Sequence, residues 1–181
     1  MKNNDYRISL VSDYLNILDL SQEIKEYFNG KTILVTGGAG AIGSNLVTAL
    51  SNLIGDKGIV IVLDNLSAIK GDMPIDLPSL PNLMLVNGDV RSDIDLKRVF
   101  REKPTVVYHL AAFFANQNSV DYPENSADVD INGIIKLLDY SQFTGVKRFV
   151  YASSGCAIYG SYGKMPLTED FISLHLTTPY Q

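Results

Sequence analysis

Three glycines at a regular spacing are the residues whose type and position most directly suggest chemistry in this sequence. They follow the strand-like run Thr32–Val35, fit the pattern G-x-x-G-x-x-G, and open a stretch with helical spacing. Glycine permits a tight turn and a close approach of phosphate to the backbone, and the free N–H groups of a helix N-terminus attract negative charge. We therefore predict a pyrophosphate site for a dinucleotide; the alternative is a glycine-rich turn without a ligand. The residues assigned to this site are Gly37, Gly40, Ala41, Ile42 and Gly43.

An acidic residue closes the next strand-like run. Asp64 follows Ile59–Leu63 and lies about twenty residues beyond Gly43, the spacing of a ribose-binding carboxylate. There it would accept hydrogen bonds from the adenosine ribose hydroxyls and repel a 2′-phosphate, so NAD is favoured over NADP. The alternative is a solvated aspartate that caps a loop.

A second aspartate, Asp89, ends the third run of strand-forming residues in the segment Gly88–Val90. It is placed to meet the adenine amino group. An aspartate that begins a helix as an N-cap is the alternative interpretation.

Strands alternating with helices must position these residues. Because the strands are apolar without polar alternation, both faces of their sheet should be covered, which is typical of a doubly wound parallel sheet, the Rossmann fold. We predict strands at 32–35, 59–63, 83–86, 105–108 and 149–152, and helices at 41–54, 92–102 and 124–143, with a loop at 64–81 that contains Gly71 and Pro74. A helix at 10–28 ends at Asn29-Gly30, which makes residues 1–30 an arm and residues 31–181 the dinucleotide-binding domain.

Composition narrows the function classes. The chain has 181 residues, a net charge of −5 and one cysteine, Cys156. No cluster of Lys and Arg suits nucleic acid, and one cysteine allows neither an internal disulfide nor a cysteine-rich zinc site. We therefore expect no metal and no nucleic-acid partner. We also expect no membrane association, because no apolar run resembles a signal peptide or a membrane span of about 20 residues. A cytoplasmic location fits these features.

From about Lys31 onward the chain resembles the extended short-chain dehydrogenase/reductase family, in particular its NAD-dependent sugar-nucleotide epimerases and dehydratases. The motifs that carry the resemblance are Thr36–Gly43, Asp64–Ser67, Gly88–Arg91, His109–Ala112 and Tyr151–Gly160. The resemblance implies a nucleoside-diphosphate sugar as substrate, transient oxidation of a sugar hydroxyl with NAD, and a homodimer through the helix at 124–143. To the cofactor site, which already includes Asp89, it adds Asn65, Val90, Leu110, Ala111 and Ala112. His109 is interpreted as a packed residue at the end of a strand.

The family's catalytic base is a tyrosine with a lysine four residues later, and the resemblance makes Tyr180 the candidate. The lysine would fall three residues beyond Gln181, so these 181 residues do not contain it. Tyr27 and Lys31 have the same spacing, but they precede the first strand and Gly30 interrupts them. We therefore reject that pair.

A serine or threonine shares the substrate proton in this family. The usual position can fall on Gly155, which has no hydroxyl, so Ser154 is the first choice and Ser153 the second. Two serines that only satisfy backbone groups at a strand end are the alternative. Cys156 is interpreted as a small packed residue, because no paired histidine suggests a nucleophile.

Asp130 stands on the long helix where the family commonly has asparagine. A carboxylate accepts hydrogen bonds but does not donate them, so any buried bonding at this position must differ from that of an amide.

Three functions remain open from the sequence. The first is a sugar-nucleotide epimerase or dehydratase, of which this chain is expected to be a fragment cut before the last strands and the substrate region. The second is a non-catalytic NAD-binding or interaction module, which the missing lysine favours. The third is a reductase of the same family that acts on a small carbonyl compound.

Overall fold

The fold is a five-stranded parallel sheet. A computed structural model describes residues 3–68, 75, 77–114, 116–160, 165–172 and 175–181. The strands lie in the order β3-β2-β1-β4-β5, and all four pairings are parallel. Their bounds are β1 Thr32–Thr36, β2 Ile59–Asp64, β3 Leu83–Asn87, β4 Val106–His109 and β5 Arg148–Tyr151. The predicted doubly wound sheet is confirmed, with the strand order reversing between β1 and β4.

Helices cover both faces of this sheet. The helix after β1, α3 (Ala41–Leu53), and the helix after β3, α4 (Asp93–Phe100), begin and end within two residues of their predicted bounds. The helices are α1 Asn3–Ile17, α2 Gln22–Phe28, α3 Ala41–Leu53, α4 Asp93–Phe100, α5 Asn116–Asp121, α6 Pro123–Ala127, α7 Gly133–Thr144 and α8 Gly155–Tyr159, with a π-helical turn at Asp128–Asn132 between α6 and α7.

The core consists of two apolar layers, one on each face of the sheet. Alternate residues of β1 enter opposite layers: Leu34 packs with α4 and α7, whereas Ile33 and Val35 pack with α3. All three side chains are fully buried. This double burial explains why the strands read as continuous apolar runs rather than as an alternating pattern.

The N-terminal helix differs from its prediction. Instead of one helix over 10–28, the chain forms α1 and α2, which are separated at Leu18–Ser21. Asp19 has φ +43°, and the Ser21 hydroxyl accepts a hydrogen bond from the Ile24 N–H at 3.4 Å. A left-handed residue followed by a serine N-cap ends one helix and begins another. The predicted stop at Asn29-Gly30 is confirmed.

The predicted helix at 124–143 is confirmed as a helical stretch from Pro123 to Thr144, but its second turn is π-helical. The short helices α5 and α8 were not predicted. In the predicted loop at 64–81, Gly71 and Pro74 lie outside the described residues. Over the part of the chain that the structure describes, no helix has the length and apolar character of a membrane span.

Candidate functional site

In the turn between β1 and α3, neighbouring backbone leaves no room for a side chain at two of the glycines. A Cβ on Gly37 would lie 2.6 Å from the Ala111 backbone nitrogen, and Gly37 has φ +69°. A Cβ on Gly43 would lie 2.2 Å from the Gly37 carbonyl oxygen. The turn therefore packs directly against the backbone that follows β4, and only glycine fits at these two positions.

Gly40 has no such constraint from the protein itself. Its φ of −76° and ψ of 175° suit any residue, and a Cβ there would make ordinary contact at 3.4 Å with the Gly37 oxygen. Gly40 is the N-cap of α3, and no side chain caps this helix end. The first N–H groups of α3, those of Ala41, Ile42 and Gly43, are thus left without a side-chain acceptor, as expected where an anion would bind.

A cleft of about 300 Å³ opens at the carboxyl ends of the strands. It lies where the strand order reverses, which is the usual ligand position in an open parallel sheet. Nine of the predicted cofactor residues line it, namely Gly37, Gly40, Asp64, Asn65, Asp89, Val90, Leu110, Ala111 and Ala112. The other three, Ala41, Ile42 and Gly43, are not among the lining residues and form the adjoining first turn of α3.

Asp64 ties the glycine turn to the end of β2. One carboxylate oxygen accepts a hydrogen bond from the Ala39 N–H at 2.9 Å, and the other accepts one from the Leu66 N–H at 2.8 Å. A carboxylate has about four acceptor positions. Asp64 therefore supports the turn and still has acceptor capacity for hydroxyl groups in the cleft.

Asp89 is held by Arg91 and Asn65. Its oxygens accept four hydrogen bonds of 2.8–3.0 Å, from the Arg91 backbone N–H, Nε and Nη2 and from the Asn65 amide. The hydrogen bonds from the Arg91 side chain lower the pKa of Asp89 to about 2, against the opposing effect of burial. An adenine amino group at Asp89 would have to replace one of these donors.

Arg91 was not singled out by the sequence analysis, although it ends one of the quoted motifs. Its guanidinium also reaches Asp128, at 3.4 Å, in the π-helical turn between α6 and α7. In the sequence, only its position two residues after Asp89 pointed to Arg91. That spacing did not reveal that the guanidinium donates to both Asp89 oxygens.

His109 is packed as predicted. The side chain is buried, and its Nδ1 lies 2.6 Å from the Thr36 hydroxyl, which in turn accepts a hydrogen bond from the Ala111 N–H at 3.3 Å. Burial lowers the pKa of His109 to about 4, so the ring is neutral near pH 7. This chain of contacts connects the ends of β1 and β4 beneath the cleft.

Asp130 bonds as a carboxylate rather than as an amide. Its two oxygens accept from the Phe113 N–H at 2.7 Å and from the Ser126 hydroxyl at 3.0 Å. Phe113 lines the cleft. Burial raises the pKa of Asp130, and the two hydrogen bonds oppose that shift.

We expect Asp130→Asn to stabilise the protein at neutral pH. Because the pKa of Asp130 is raised in the folded state, its ionisation disfavours folding; this destabilisation grows as pH rises from 3.8 through the raised pKa and is constant above it. Asparagine can still accept from Phe113 and can donate to Ser126. Urea unfolding from pH 3.5 to pH 7 should show the variant gaining relative to the wild type as pH rises; a difference that is independent of pH would contradict this assignment.

The two predicted catalytic hydroxyls lie on segments that meet at α5. Ser154 immediately precedes α8, and its Oγ is 3.0 Å from the Cys156 sulfur. Tyr180 packs its ring edge-to-face on Phe114, and its N–H donates to the Ser119 hydroxyl at 3.1 Å. Ser154 is half-buried, whereas Ser153 is exposed.

Asn116, at the start of α5, is contacted from both segments. Its Oδ1 accepts from the Thr178 hydroxyl at 3.3 Å and from the Cys156 thiol at 3.9 Å. The structure therefore brings the Ser154 and Tyr180 segments together through a third one.

The rejected pair Tyr27 and Lys31 lies at the other end of the sheet, ahead of β1. The Lys31 ammonium sits over the Tyr27 ring, 4.4 Å from its centre. This contact is remote from the cleft at the carboxyl ends of the strands. Within the described residues, no three His, Cys, Asp or Glu side chains are grouped so as to hold a metal ion.

Comparisons with known proteins find relatives of this chain. A model of the NAD-dependent epimerase/dehydratase family matches residues 33–181. A UDP-glucose 4-epimerase of Mycolicibacterium smegmatis is 35% identical over 148 residues, which cover 81% of this chain and 46% of that protein.

Solved structures are similar as well. An epimerase of Methanothermobacter thermautotrophicus has a TM-score of 0.79 and 49% identity, covering 87% of this chain and 45% of that one. UDP-glucose 4-epimerase of Thermus thermophilus, in complex with NAD, has a TM-score of 0.69 and 35% identity, covering 82% and 46%. This chain spans about half the length of the relatives that it matches.

Proposed function

This chain belongs to the NAD-dependent epimerase/dehydratase family, and we propose that it forms the NAD-binding part of an enzyme that epimerises the sugar of a nucleoside-diphosphate sugar. The observation that carries the proposal is the glycine turn, joined to Asp64 at the edge of a cleft at the strand-order reversal. A dinucleotide needs an uncapped helix end for its pyrophosphate and a carboxylate for its ribose. Here the Asp64 carboxylate at the end of β2 is hydrogen-bonded to Ala39, in the turn that leads into the uncapped end of α3.

The residues present fit NAD. The first turn of α3, including Ala41, Ile42 and Gly43, would hold the pyrophosphate, and Asp64 the adenosine ribose. Asn65, Asp89 and Val90 would border the adenine. The remaining wall, Leu110, Ala111 and Ala112, would face the rest of the cofactor. When bound, NAD supplies a reversible two-electron acceptor for the sugar carbinol.

Two side chains of this chain would handle the proton of the sugar hydroxyl. We assign Tyr180 as the base that takes it and Ser154 as the hydroxyl that hydrogen-bonds the same oxygen, with Ser153 as the second choice. Support comes from the meeting of both segments at Asn116. Activity of the whole protein requires the family's lysine, which the Tyr-to-Lys spacing puts beyond Gln181.

Of the reactions covered by the family's name, we propose epimerisation, with a UDP-sugar as substrate. Support comes from relatives whose names specify this reaction, such as the UDP-glucose 4-epimerases of Mycolicibacterium smegmatis and Thermus thermophilus. The third candidate, a reductase of small carbonyl compounds, has no comparable support.

Calorimetric titration of NAD and NADP tests the cofactor assignment. We expect NAD to bind and NADP to be rejected, because the Asp64 carboxylate would repel a 2′-phosphate. Gly40→Val is the matched control, since its backbone angles suit valine while the added side chain would occupy the pyrophosphate position. It should abolish binding and leave the unfolding transition nearly unchanged.

Each alternative has its own outcome. A folded wild-type chain that binds neither dinucleotide would overturn the proposed function. NAD binding without turnover of UDP-sugars, in a protein that includes the family's lysine, would instead identify a non-catalytic NAD-binding module.

We further propose a homodimer through the helical stretch from Pro123 to Thr144. Ile131, Ile135 and Leu138 lie on one face of it and are 56%, 51% and 46% exposed. Ile135→Lys should therefore shift the mass measured by light scattering from dimer to monomer without unfolding the chain. A wild-type chain that is monomeric at high concentration would contradict this interface.

A cytoplasmic location is also proposed. It is supported by the presence of a single cysteine, Cys156, which suits a reducing compartment.

A further inference from the structure

Gln181, which directly follows Tyr180, uses both ends of its amide. Its Oε1 accepts hydrogen bonds from the Thr177 N–H at 2.7 Å, the Thr177 hydroxyl at 3.0 Å and the Thr178 N–H at 3.2 Å. Its Nε2 donates to the Cys156 carbonyl oxygen at 3.0 Å. The amide oxygen thus accepts hydrogen bonds within the turn at 177–181, and the amide nitrogen donates one to α8.

The acceptor end shapes the turn that holds Tyr180. The Gln181 N–H also donates to the Thr178 carbonyl oxygen at 3.1 Å. These hydrogen bonds together hold residues 177–181 in a closed turn. The donor end connects this closed turn to α8, two residues from Ser154. One planar amide therefore spans the segments of both proposed catalytic hydroxyls.

The turn has a second attachment that is independent of this amide. Tyr180 and Thr178 bond to Ser119 and Asn116 of α5. Loss of the Gln181 side chain would leave the turn attached to α5 and would remove its direct hydrogen bond to α8, so that only the weaker contact through Asn116 would still connect the two segments. The contribution of Gln181 is thus the placement of Tyr180 relative to Ser154, rather than the folding of the domain.

We propose that Gln181 is a positioning residue that sets the distance between the Tyr180 turn and the Ser154 helix. The inference rests on the proposed function, since Ser154 and Tyr180 matter to the reaction only if that function holds. It requires a group that accepts and donates at once, which glutamine provides and which glutamate, methionine and alanine do not near pH 7.

The only cysteine of the chain makes the inference measurable. Cys156 is half-buried beside this amide, so the rate of its reaction with 4,4′-dithiodipyridine reports release of the turn from α8. We expect Gln181→Glu and Gln181→Met to react about three- to tenfold faster than wild type at pH 7, as for the loss of one hydrogen bond. Gln142→Glu, the same change at an exposed position of α7, should react at the wild-type rate.

The pH profile separates positioning from simple packing. In the Gln181→Glu variant, the protonated carboxyl group has a carbonyl acceptor and an O–H donor, like the amide that it replaces. The rate of Gln181→Glu relative to wild type should therefore fall toward one as pH approaches the ordinary glutamate pKa of about 4.3. Gln181→Met should remain fast at every pH at which circular dichroism shows a folded chain.

Wild-type rates for Gln181→Glu and Gln181→Met at pH 7 would overturn the positioning role, as would a Gln181→Glu rate that does not depend on pH. Calorimetry with NAD tests the proposed function separately. Because Gln181 is not a cleft-lining residue, its variants should bind NAD as the wild type does. A wild-type chain that does not bind NAD would contradict the proposed function, whereas the rates of thiol reaction would still test the position of the turn.

Discussion

Gly37→Ala should destabilise the domain by about 3 kcal/mol or more and abolish NAD binding. Alanine in the left-handed region, at φ +69°, costs about 1–2 kcal/mol. Its Cβ would also lie 2.6–2.8 Å from three backbone atoms of Leu110 and Ala111, and such overpacking typically costs a further 1–3 kcal/mol. Urea unfolding measures the first effect and calorimetry the second.

Three other glycines separate the two causes. Gly145 has φ +79° with nothing within 4 Å of an added Cβ, so Gly145→Ala should show the backbone cost alone. Gly43→Ala adds a clash of 2.2 Å at a backbone without positive φ. Gly40→Ala adds neither and should unfold like the wild type. Equal losses for Gly37→Ala and Gly145→Ala would show that the Leu110–Ala111 backbone yields freely, contrary to the close packing described.

The second large effect is a loss of stability on acidification, caused by His109. Its folded-state pKa of about 4 lies below the unfolded value of 6.5. The unfolded state therefore binds more protons between these values, and stability falls as pH falls from 6.5 to 4. The difference corresponds to roughly 3 kcal/mol, because one pKa unit is worth about 1.4 kcal/mol.

His109→Asn is the matched variant for this effect. Asparagine does not titrate, and its side-chain amide can donate a hydrogen bond to the Thr36 hydroxyl or accept one from it. The variant should be less stable than wild type at pH 7 because it leaves a cavity, yet its stability should depend less on pH by about 1.4 kcal/mol per unit between pH 4 and 6.5. The contribution of Asp89 is shared by the two proteins and cancels in the difference. Parallel stability curves for the two proteins over this range would contradict the buried neutral ring.

Features that depend on neighbouring residues were predictable from the sequence. The strands are apolar runs bounded by turn residues, and the glycine turn and Asp64 follow strands at a recognised spacing. In a parallel sheet the carboxyl ends of the strands lie at one edge, so residues that follow different strands were expected to share a cleft. Nine of the predicted cofactor residues do line that cleft; their roles stay predictions.

Short and irregular elements were not predictable in the same way. The helices α5 and α8 have six and five residues, too few to be stable through local propensity, so packing of the surrounding chain decides them. The break between α1 and α2 likewise depends on one left-handed residue, Asp19. Local periodicity alone indicated one continuous helix there.

What the sequence determined by itself is the fold class, the order of its elements and the position of the glycine turn, because each depends on residues close together in the chain. Only the tertiary structure decided how side chains are paired. Thr36 meets His109 across 73 residues, Arg91 meets Asp128 across 37, and Gln181 meets Cys156 across 25. A hydrogen bond requires its two atoms within about 3 Å, and which distant segments come that close depends on how the whole chain packs.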